Sequence, residues 1–452
     1  MSVKLKTVGI VSLGCSKNLA DSEVMAGALL KAGYRLASSP EAADVVLVNT
    51  CAFIESAREE GAQTILAACA QKNGGGCRAV IVTGCMPQRY RERMAGTFPE
   101  VDAFLGVDEL DRLPSVLDAL QKRKAAPMAI APGLPVRVFD KPIAALRFTG
   151  QAFAYVKIAE GCNHACAFCA IPQFRGRLRS RPSASILAEA RELLATGTRE
   201  LNLVAQDVTA YGKDFRDSTS LASLASLLKA LDALEGDFWI RFLYGFHNHV
   251  TDALLETMAA SRHIVPYFDL PVQHCSPAIL RAMRRADTIK AIDSFPDRLR
   301  AAVPGATLRT TCMVGFPGET EDDFRQLLDY VERVRFDHLG AFVFSPEAGT
   351  AAAKLDGLPP PEVAQRRLAE LMAAQKRIVR EIDRARVGQE GIALAEAPDG
   401  KGGWRLRLPH QAPEVDGLSR LANTLTDAFT PGDFVRVRVT GVRGYDLTVK
   451  CV

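Results

Sequence analysis

The sequence predicts an α/β protein of three units: an N-terminal parallel α/β domain, an open partial (β/α)6 barrel, and a small antiparallel β-barrel at the C-terminus. Three observations predict it. Short apolar runs alternate with helical periods from Thr7 to about residue 115. A second series of six apolar runs, separated by helical stretches, begins at Phe153. From residue 384 the pattern changes to short alternating strands with Gly and Pro turns.

A chain of 452 residues exceeds one hydrophobic core, so several domains are expected. Hydrophobic residues at 48% and charged residues at 24% exclude a disordered chain. A net charge of +4 neither demands nor excludes a nucleic-acid partner at this size. Eleven cysteines, an odd number, do not suit a secreted disulfide framework and suit thiols kept reduced for metal. The opening stretch, Met1 to Gly14, is interrupted at Gly9 and Ser12 and does not form a signal peptide. No run approaches the ~18 apolar residues needed to cross a bilayer. The expectation is a cytoplasmic protein with no membrane partner, and nothing demands more than a monomer.

Taken in order, Thr7 to Leu13 reads as a strand and Asn18 to Ala32 as a helix ending at Gly33. Asp44 to Val48 and Ala79 to Thr83 are further strands, Ile54 to Gln71 a helix, and another helix starts near Pro87, which suits a first turn. This alternation argues for a Rossmann-like parallel sheet over residues 1–117. Residues 118–147 read as a linker, with Val136 to Phe139 and Ala144 to Phe148 able to pair as a hairpin. Residues 148–383 carry strands at Tyr155 to Ala159, Glu200 to Ala205, Phe238 to Tyr244, Tyr267 to Val272, Leu308 to Val314 and His338 to Ser345. Helices such as Ser183 to Thr196 and Glu321 to Val334 separate them, and a long one, about Pro361 to Arg386, closes the region. Six repeats are too few for a closed eight-stranded barrel. Residues 384–452 add strands at Trp404 to Leu408, Phe434 to Thr440 and Tyr445 to Val449, an OB-like barrel in size.

The chemistry centres on Cys162, Cys166 and Cys169, spaced C-x3-C-x2-C. Three thiolates can hold three irons of a [4Fe–4S] cubane and leave the fourth open, whereas electron-transfer clusters are closed by four cysteines. A zinc site lacking a ligand, for which His164 lies too close, and three buried thiols are the alternatives. The loop follows the first strand of the partial barrel, so it faces the barrel mouth. Cys15, Cys51 and Cys85 each follow a predicted parallel strand and should meet at one sheet edge. Any one alone reads as a buried thiol; three at equivalent positions argue for a second open cluster. Cys69, Cys77, Cys275, Cys312 and Cys451 share no such position and read as structural. His247 and His249 form a His-x-His pair that reads better as a surface loop than as a metal site.

With Phe168 in the aromatic place, the cradle resembles the radical S-adenosylmethionine (SAM) superfamily. Gly315-Phe316-Pro317-Gly318-Glu319 matches that family's glycine-containing element near the SAM adenine. The resemblance implies SAM contacts at Phe168, Gln206, Gly315, Gly318 and Glu319. Joined to Cys15, Cys51 and Cys85, the whole chain resembles the methylthiotransferases: an N-terminal methylthiotransferase domain, a radical SAM core and a TRAM domain. It implies two [4Fe–4S] clusters and two uses of SAM, as methyl donor and as source of a 5′-deoxyadenosyl radical. No catalytic side chain beyond the clusters is expected, and a flavodoxin-like or ferredoxin-like protein would supply electrons. A radical is needed because an unactivated C–H bond is too weak an acid for a general base. Arg175 to Pro182 resembles the family's Arg-Gly…Arg-Ser-Arg element, which points to Arg177, Arg179 and Arg181 as contacts. Gln206-Asp207 and Gln273-His274 could line the pocket.

Relatives of this architecture modify either adenosines of transfer RNA or an aspartate of a ribosomal protein. Residues 384–452 contain ten Lys/Arg against eight Asp/Glu, whereas an RNA-gripping module should be markedly basic. Pro413-Glu414-Val415-Asp416-Gly417 and Asp269 to Ser276 resemble the ribosomal-protein branch. The resemblance implies the β-carbon of an aspartate of small-subunit ribosomal protein twelve as substrate, with Glu414 and Asp416 facing that basic partner. The alternatives are a transfer-RNA methylthiotransferase and a non-enzymatic iron–sulfur protein that binds RNA or carries electrons. The last gives no reason for two three-cysteine sites.

Overall fold

The computed structural model describes residues 5–74, 76–122, 128–130, 133–141, 143, 146–216, 221–285, 289–421 and 429–452. Six strands open the chain: β1 (Thr7–Ser12), β2 (Arg35–Leu36), β3 (Val45–Thr50), β4 (Ala79–Gly84), β5 (Ala103–Leu105) and β6 (Met128–Ile130). They form one sheet in the order β2-β1-β3-β4-β5-β6, parallel throughout. Every residue of β3 and β4 is buried. Val45, Leu47, Ala79 and Ile81 pack under helix α1 (Ser16–Lys31). Their alternates Val46, Val48, Val80 and Val82 pack with Ile65 and Ala68 of α2 (Glu55–Asn73). Strands covered on both faces read as continuous apolar runs. The strand order reverses between β1 and β3, where doubly wound sheets bind ligands beyond their carboxyl ends.

The sheet draws in β6 and so runs past residue 117. No hairpin forms among the described residues of the linker: 135–141 carry no strand, and Ala144 and Ala145 lie outside the described residues. The Asp108 carboxylate takes the amides of Val136 (2.6 Å) and Arg137 (3.2 Å) that a ladder would need. Arg137 also pairs with Asp111 at 2.6 Å.

The partial barrel comprises β7 (Phe153–Lys157), then a short antiparallel pair, β8 (Ala159–Glu160) and β9 (Arg179–Ser180), then β10 (Glu200–Val204), β11 (Trp239–Leu243), β12 (Tyr267–Asp269), β13 (Thr307–Val314) and β14 (His338–Val343). Its six parallel strands pair as two groups of three, β7-β10-β11 and β12-β13-β14. One bridge joins the groups: Ile240 N–H donates to the His263 carbonyl (2.8 Å), and Val265 N–H to that of Ile240 (3.0 Å). Ala154, Val156, Leu201, Leu203, Ile240 and Phe242 face the helices, and the alternate residues face inward. The expected open (β/α)6 barrel is what forms.

The terminal unit is a closed barrel of β15 (Glu390–Pro398), β16 (Trp404–Arg407), β17 (Ser419–Leu421), β18 (Phe434–Arg443) and β19 (Asp446–Cys451). Its Arg407, 1% exposed, reaches Glu200 of β10, which also holds Arg241 at 2.8 Å. Among the described residues no helix is long and apolar enough to cross a membrane.

Candidate functional site

Cys15 stands at the N-cap of α1, Cys51 follows β3, and Cys85 opens a short helix after β4. Two glycines allow the close approach. Gly14 has φ +89°, and a Cβ there would lie 2.6 Å from Cβ of Cys51. Gly84 has φ +93°, and its Cβ would meet Asn49 Oδ1 at 2.3 Å. Asn18 joins the three loops: its Nδ2 donates to the carbonyls of Leu13 and Thr50, both at 3.0 Å, and its Oδ1 lies 3.6 Å from Sγ of Cys85.

Burial pushes the Cys85 thiol up to about 12 and raises that of Cys51, with the neighbouring thiols adding to both. Burial acts the same way on Cys15, but Lys17 and Arg175 overcome it and bring that thiol below its ordinary value. Arg175 is 3% exposed and lies 3.3 Å (Nε) and 3.2 Å (a terminal nitrogen) from Sγ of Cys85. It also pairs with Asp21 (2.8 Å) and Glu160 (3.0 Å). Lys157 pairs with the same two carboxylates. These four buried charges sum to zero and join α1 to the mouth of the barrel.

The second cradle depends on Gly161, φ +75°, where a Cβ would lie 2.0 Å from the Arg177 carbonyl oxygen. The Cys162 amide donates to the Gly176 carbonyl (3.1 Å), that of Cys169 to the Cys166 carbonyl (3.1 Å), and that of Ala167 to the Met283 carbonyl (2.8 Å). Cys162, Cys166 and Cys169 line a cavity of about 550 Å³ together with Gln173, Arg177 and Thr350. Burial pushes the Cys162 thiol up to about 11 and the Cys169 thiol up to about 12, the neighbouring thiols adding. The His164 ring stacks on Phe246 at 3.9 Å. The Asp207 carboxylate meets His164 Nε2 at 2.7 Å and His249 Nδ1 at 3.0 Å, close enough for the three to hold a cation. His247 turns away, buried edge-on against Phe295, so the His-x-His pair does not share a site.

The other expected site residues divide. Phe168 packs against the cluster of Met313 and Phe316. Gly315 (φ +73°) and Gly318 (φ +83°) have left-handed backbones. Glu319 turns back on this loop, its carboxylate accepting the amides of Gly315 and Phe316 (3.1 Å for the latter). Gln206 donates to Glu160 at 3.1 Å, while its Oε1, like that of Gln273, is buried without a hydrogen-bond partner among the described residues. Arg177 is exposed at the cavity. Arg179 donates to the carbonyls of Arg175 and Arg177, and Arg181 is buried against Glu189 (2.5 Å) and Asp140 (2.8 Å). Of the acidic turn that the sequence suggests, Glu414 is exposed but Asp416 turns inward. Asp416 is 1% exposed at its side chain and bonds Tyr267 (2.6 Å) and Arg309 (2.8 Å); Glu414 accepts from the Tyr155 hydroxyl at 2.8 Å. The inner barrel wall supplies these carboxylates with partners.

Sequence reasoning missed Lys17, Asn18, Asp21, Lys157 and Glu160, and read Arg175 only as the first residue of the Arg-Gly…Arg-Ser-Arg element. A signal was present. Asn18, Asp21 and Ser22 lie at helical spacing with Met25 on the buried stripe of α1, where apolar residues should stand.

Both thiol sets fit iron–sulfur clusters. Thiolates are soft ligands that select such centres, and thiols held neutral by burial ionise when a metal supplies positive charge. The unpartnered acceptors of Gln206 and Gln273 suit a ligand that carries amine or hydroxyl donors, as SAM does.

The chain matches the uncharacterized protein family UPF0004 over residues 7–106, the radical SAM superfamily over 156–331 and the TRAM domain over 387–452. The ribosomal protein uS12 methylthiotransferase RimO of Geobacter sulfurreducens is 42% identical over 99% of both chains. That of Syntrophobacter fumaroxidans is 42% identical over 98% of both. The Syntrophus aciditrophicus protein of the same name is 43% identical over 99% of this chain and 98% of its own. Among solved structures, the radical SAM methyltransferase TsrM of Kitasatospora setae, bound to tryptophan and a SAM analogue, has a TM-score of 0.55 at 13% identity. It covers 75% of this chain and 73% of its own, a likeness of fold alone.

Proposed function

The chain belongs to the family of ribosomal protein uS12 methylthiotransferases, and from that membership we propose how its residues divide the work. It is a radical SAM enzyme that methylthiolates uS12 with SAM and [4Fe–4S] clusters as cofactors. Cys162, Cys166 and Cys169 hold the cluster that binds SAM, and Cys15, Cys51 and Cys85 hold an auxiliary cluster. The acceptor is the β-carbon of one aspartate of uS12, and an external flavodoxin-like or ferredoxin-like protein reduces the enzyme, which acts as a monomer. When bound, these groups supply one-electron cleavage of a carbon–sulfur bond and a methylthio group, chemistry that no side-chain base can replace.

The chain's own residues bind, orient and exclude water. Gly161 lets the cradle loop pass beneath the Arg177 carbonyl, and Ala167 ties it to Met283. Gln206 and Gln273 offer buried acceptors to the amine and hydroxyl groups of SAM, and Arg177 offers a cation at the cavity rim. Glu319 shapes the Gly315–Gly318 turn from within. Arg175 directs two N–H groups at Cys85, which favours the ionised thiolate that a metal needs. Glu414 and Asp416 fasten the terminal barrel to the inner wall of the partial barrel. The observation that carries this reading is the convergence of three thiols beyond the ends of β1, β3 and β4, joined by the Asp21–Arg175–Glu160 set to the mouth that holds the other three.

The test supplies anaerobically loaded protein with SAM, a low-potential reductant, and either uS12 or transfer RNA. A gain of one methylthio group on a single aspartate of uS12 is expected, from protein holding about eight irons per chain. Modification of the RNA alone would overturn the substrate, and about four irons with no product would overturn the two-cluster assignment.

A further inference from the structure

An aspartate that reacts at its β-carbon brings a carboxylate, bonded to that carbon, into the site. A carboxylate taken from water needs a cation or several N–H donors. Most cations near the two thiol sets already have such partners. Lys157 and Arg175 are paired with Asp21 and Glu160. Arg309 is paired with Asp416 at 2.8 Å and Asp269 at 3.5 Å. Arg285 lies over the Phe246 ring and donates to the Pro271 carbonyl at 2.7 Å. Arg177 stands at the outer rim of the cavity at Cys162.

Lys17 differs. Its Nζ sits 3.4 Å from the centroid of the Tyr244 ring, with no ion pair or side-chain hydrogen bond among the described residues. Its position is also singular, for it follows Cys15 by two residues on the first turn of α1. Tyr244, the residue after β11, has φ +69°, a conformation uncommon for a bulky residue. Two residues further on, Phe246 stacks on His164 inside the other cradle. Lys17 thus follows one thiol set in sequence and packs on a ring two residues from the one that stacks in the other cradle. Lys17 and Tyr244 are both half-buried, whereas Lys157 and Arg175 are buried, so a substrate can reach them.

We propose that Lys17 is the specificity-determining residue that receives the carboxylate of the substrate aspartate, with the Tyr244 ring holding the ammonium in place beforehand. This rests on the aspartate reading given above. A ring face holds an ammonium less firmly than a carboxylate does, so an arriving carboxylate draws Lys17 to itself. A compact cation with three donors suits one carboxylate approaching without a fixed plane.

The test compares loaded wild-type enzyme with Lys17→Met and Lys17→Arg on uS12 and on uS12 whose target aspartate is replaced by asparagine, similar in shape but uncharged. Wild type should favour aspartate by about ten- to hundredfold in kcat/KM, the range of a hydrogen bond to a charged group. Lys17→Met should lose that preference, and Lys17→Arg should keep most of it. Iron content reports loading of each variant. A Lys17→Met enzyme that loads and still prefers aspartate overturns the inference alone, whereas wild type that leaves uS12 unmodified overturns the function beneath it. Should Lys17→Met not load, Tyr244→Leu decides: it keeps the charge but removes its seat, and KM for uS12 should rise severalfold. An unchanged KM overturns the inference.

Discussion

Arg175 and Cys85 meet across the boundary between barrel and sheet, Nε standing 3.3 Å and a terminal nitrogen 3.2 Å from the sulfur. The same guanidinium reaches Asp21 at 2.8 Å and Asn18 at 2.5 Å, so one side chain both faces a thiol and completes a neutral buried charge set. Arg175→Met should leave Asp21 and Glu160 facing Lys157 alone, at a cost of about 3–5 kcal/mol. Iron should fall from about eight toward four per chain. Arg175→Lys restores the charge without the pair of N–H groups and should recover stability more than iron. Urea unfolding and iron analysis read both, and an unchanged midpoint with full iron would refute the role.

The two thiol sets should be separable. Replacing Cys15, Cys51 and Cys85 by Ala should leave about four irons and reductive release of 5′-deoxyadenosine, with no methylthio product. Replacing Cys162, Cys166 and Cys169 should abolish that release. Release surviving the second change would place SAM cleavage elsewhere.

Gly161→Ala should disable the SAM cradle without touching a ligand. Its Cβ would meet backbone of Arg177 at 2.0 and 2.5 Å, which no rotamer change relieves, and φ +75° adds about 1–2 kcal/mol of strain. About half of the iron and all SAM cleavage should be lost. Gly197→Ala, with φ +94° and nothing within 4 Å, carries the backbone strain alone and should keep both.

How much of this was legible follows from what each segment packs against. β3 and β4 showed in the sequence because helices cover both faces, so Val45–Val48 and Val80–Val82 read as unbroken apolar runs. β15 did not show, because Gly391, Ala393, Ala395 and Ala397 give weak strand propensity, and only its partners β16 and β18 make it a strand. β6 was hidden by lying within the stretch that reads as linker. The cysteines were legible through spacing and strand position. Arg175, Asp21, Glu160 and Lys157 were not, since a charge buried by a partner 136 or 154 residues away looks like any surface charge. The inward turn of Asp416 was illegible for the same reason, its partners being Tyr267 and Arg309.

Acid should weaken the joint between sheet and barrel. Burial alone would raise the Glu160 carboxyl, but Lys157 and then Arg175 outweigh it and hold the group well below the usual carboxylate range. A carboxyl lowered on folding contributes stability that is complete above its unfolded value of about 4.3 and is lost as pH falls below it. Glu160→Gln lacks that contribution. Its deficit against wild type should be largest near neutral pH and narrow steadily below about pH 4.3, read from urea unfolding of chelator-treated protein. A deficit constant with pH would place the charge balance elsewhere.

Asp416 separates fastening from substrate contact. Its carboxylate accepts from the Tyr267 hydroxyl at 2.6 Å and the Ala412 amide at 2.8 Å, pairs with Arg309 at 2.8 Å, and lies 3.3 Å from His338. Asp416→Asn keeps the shape but removes the charge facing Arg309, and should cost about 2–3 kcal/mol. Glu414 is exposed and has one hydrogen bond, to Tyr155, so Glu414→Gln should cost less than about 1 kcal/mol. A fastener changes stability and leaves the KM for uS12 alone at temperatures where the variant stays folded. A substrate contact does the reverse, because a carboxylate aimed at a basic partner is repelled by nothing when that partner is absent. Unfolding curves and KM measured on both variants distinguish the two, and a raised KM with unaltered stability would return these acids to the substrate surface.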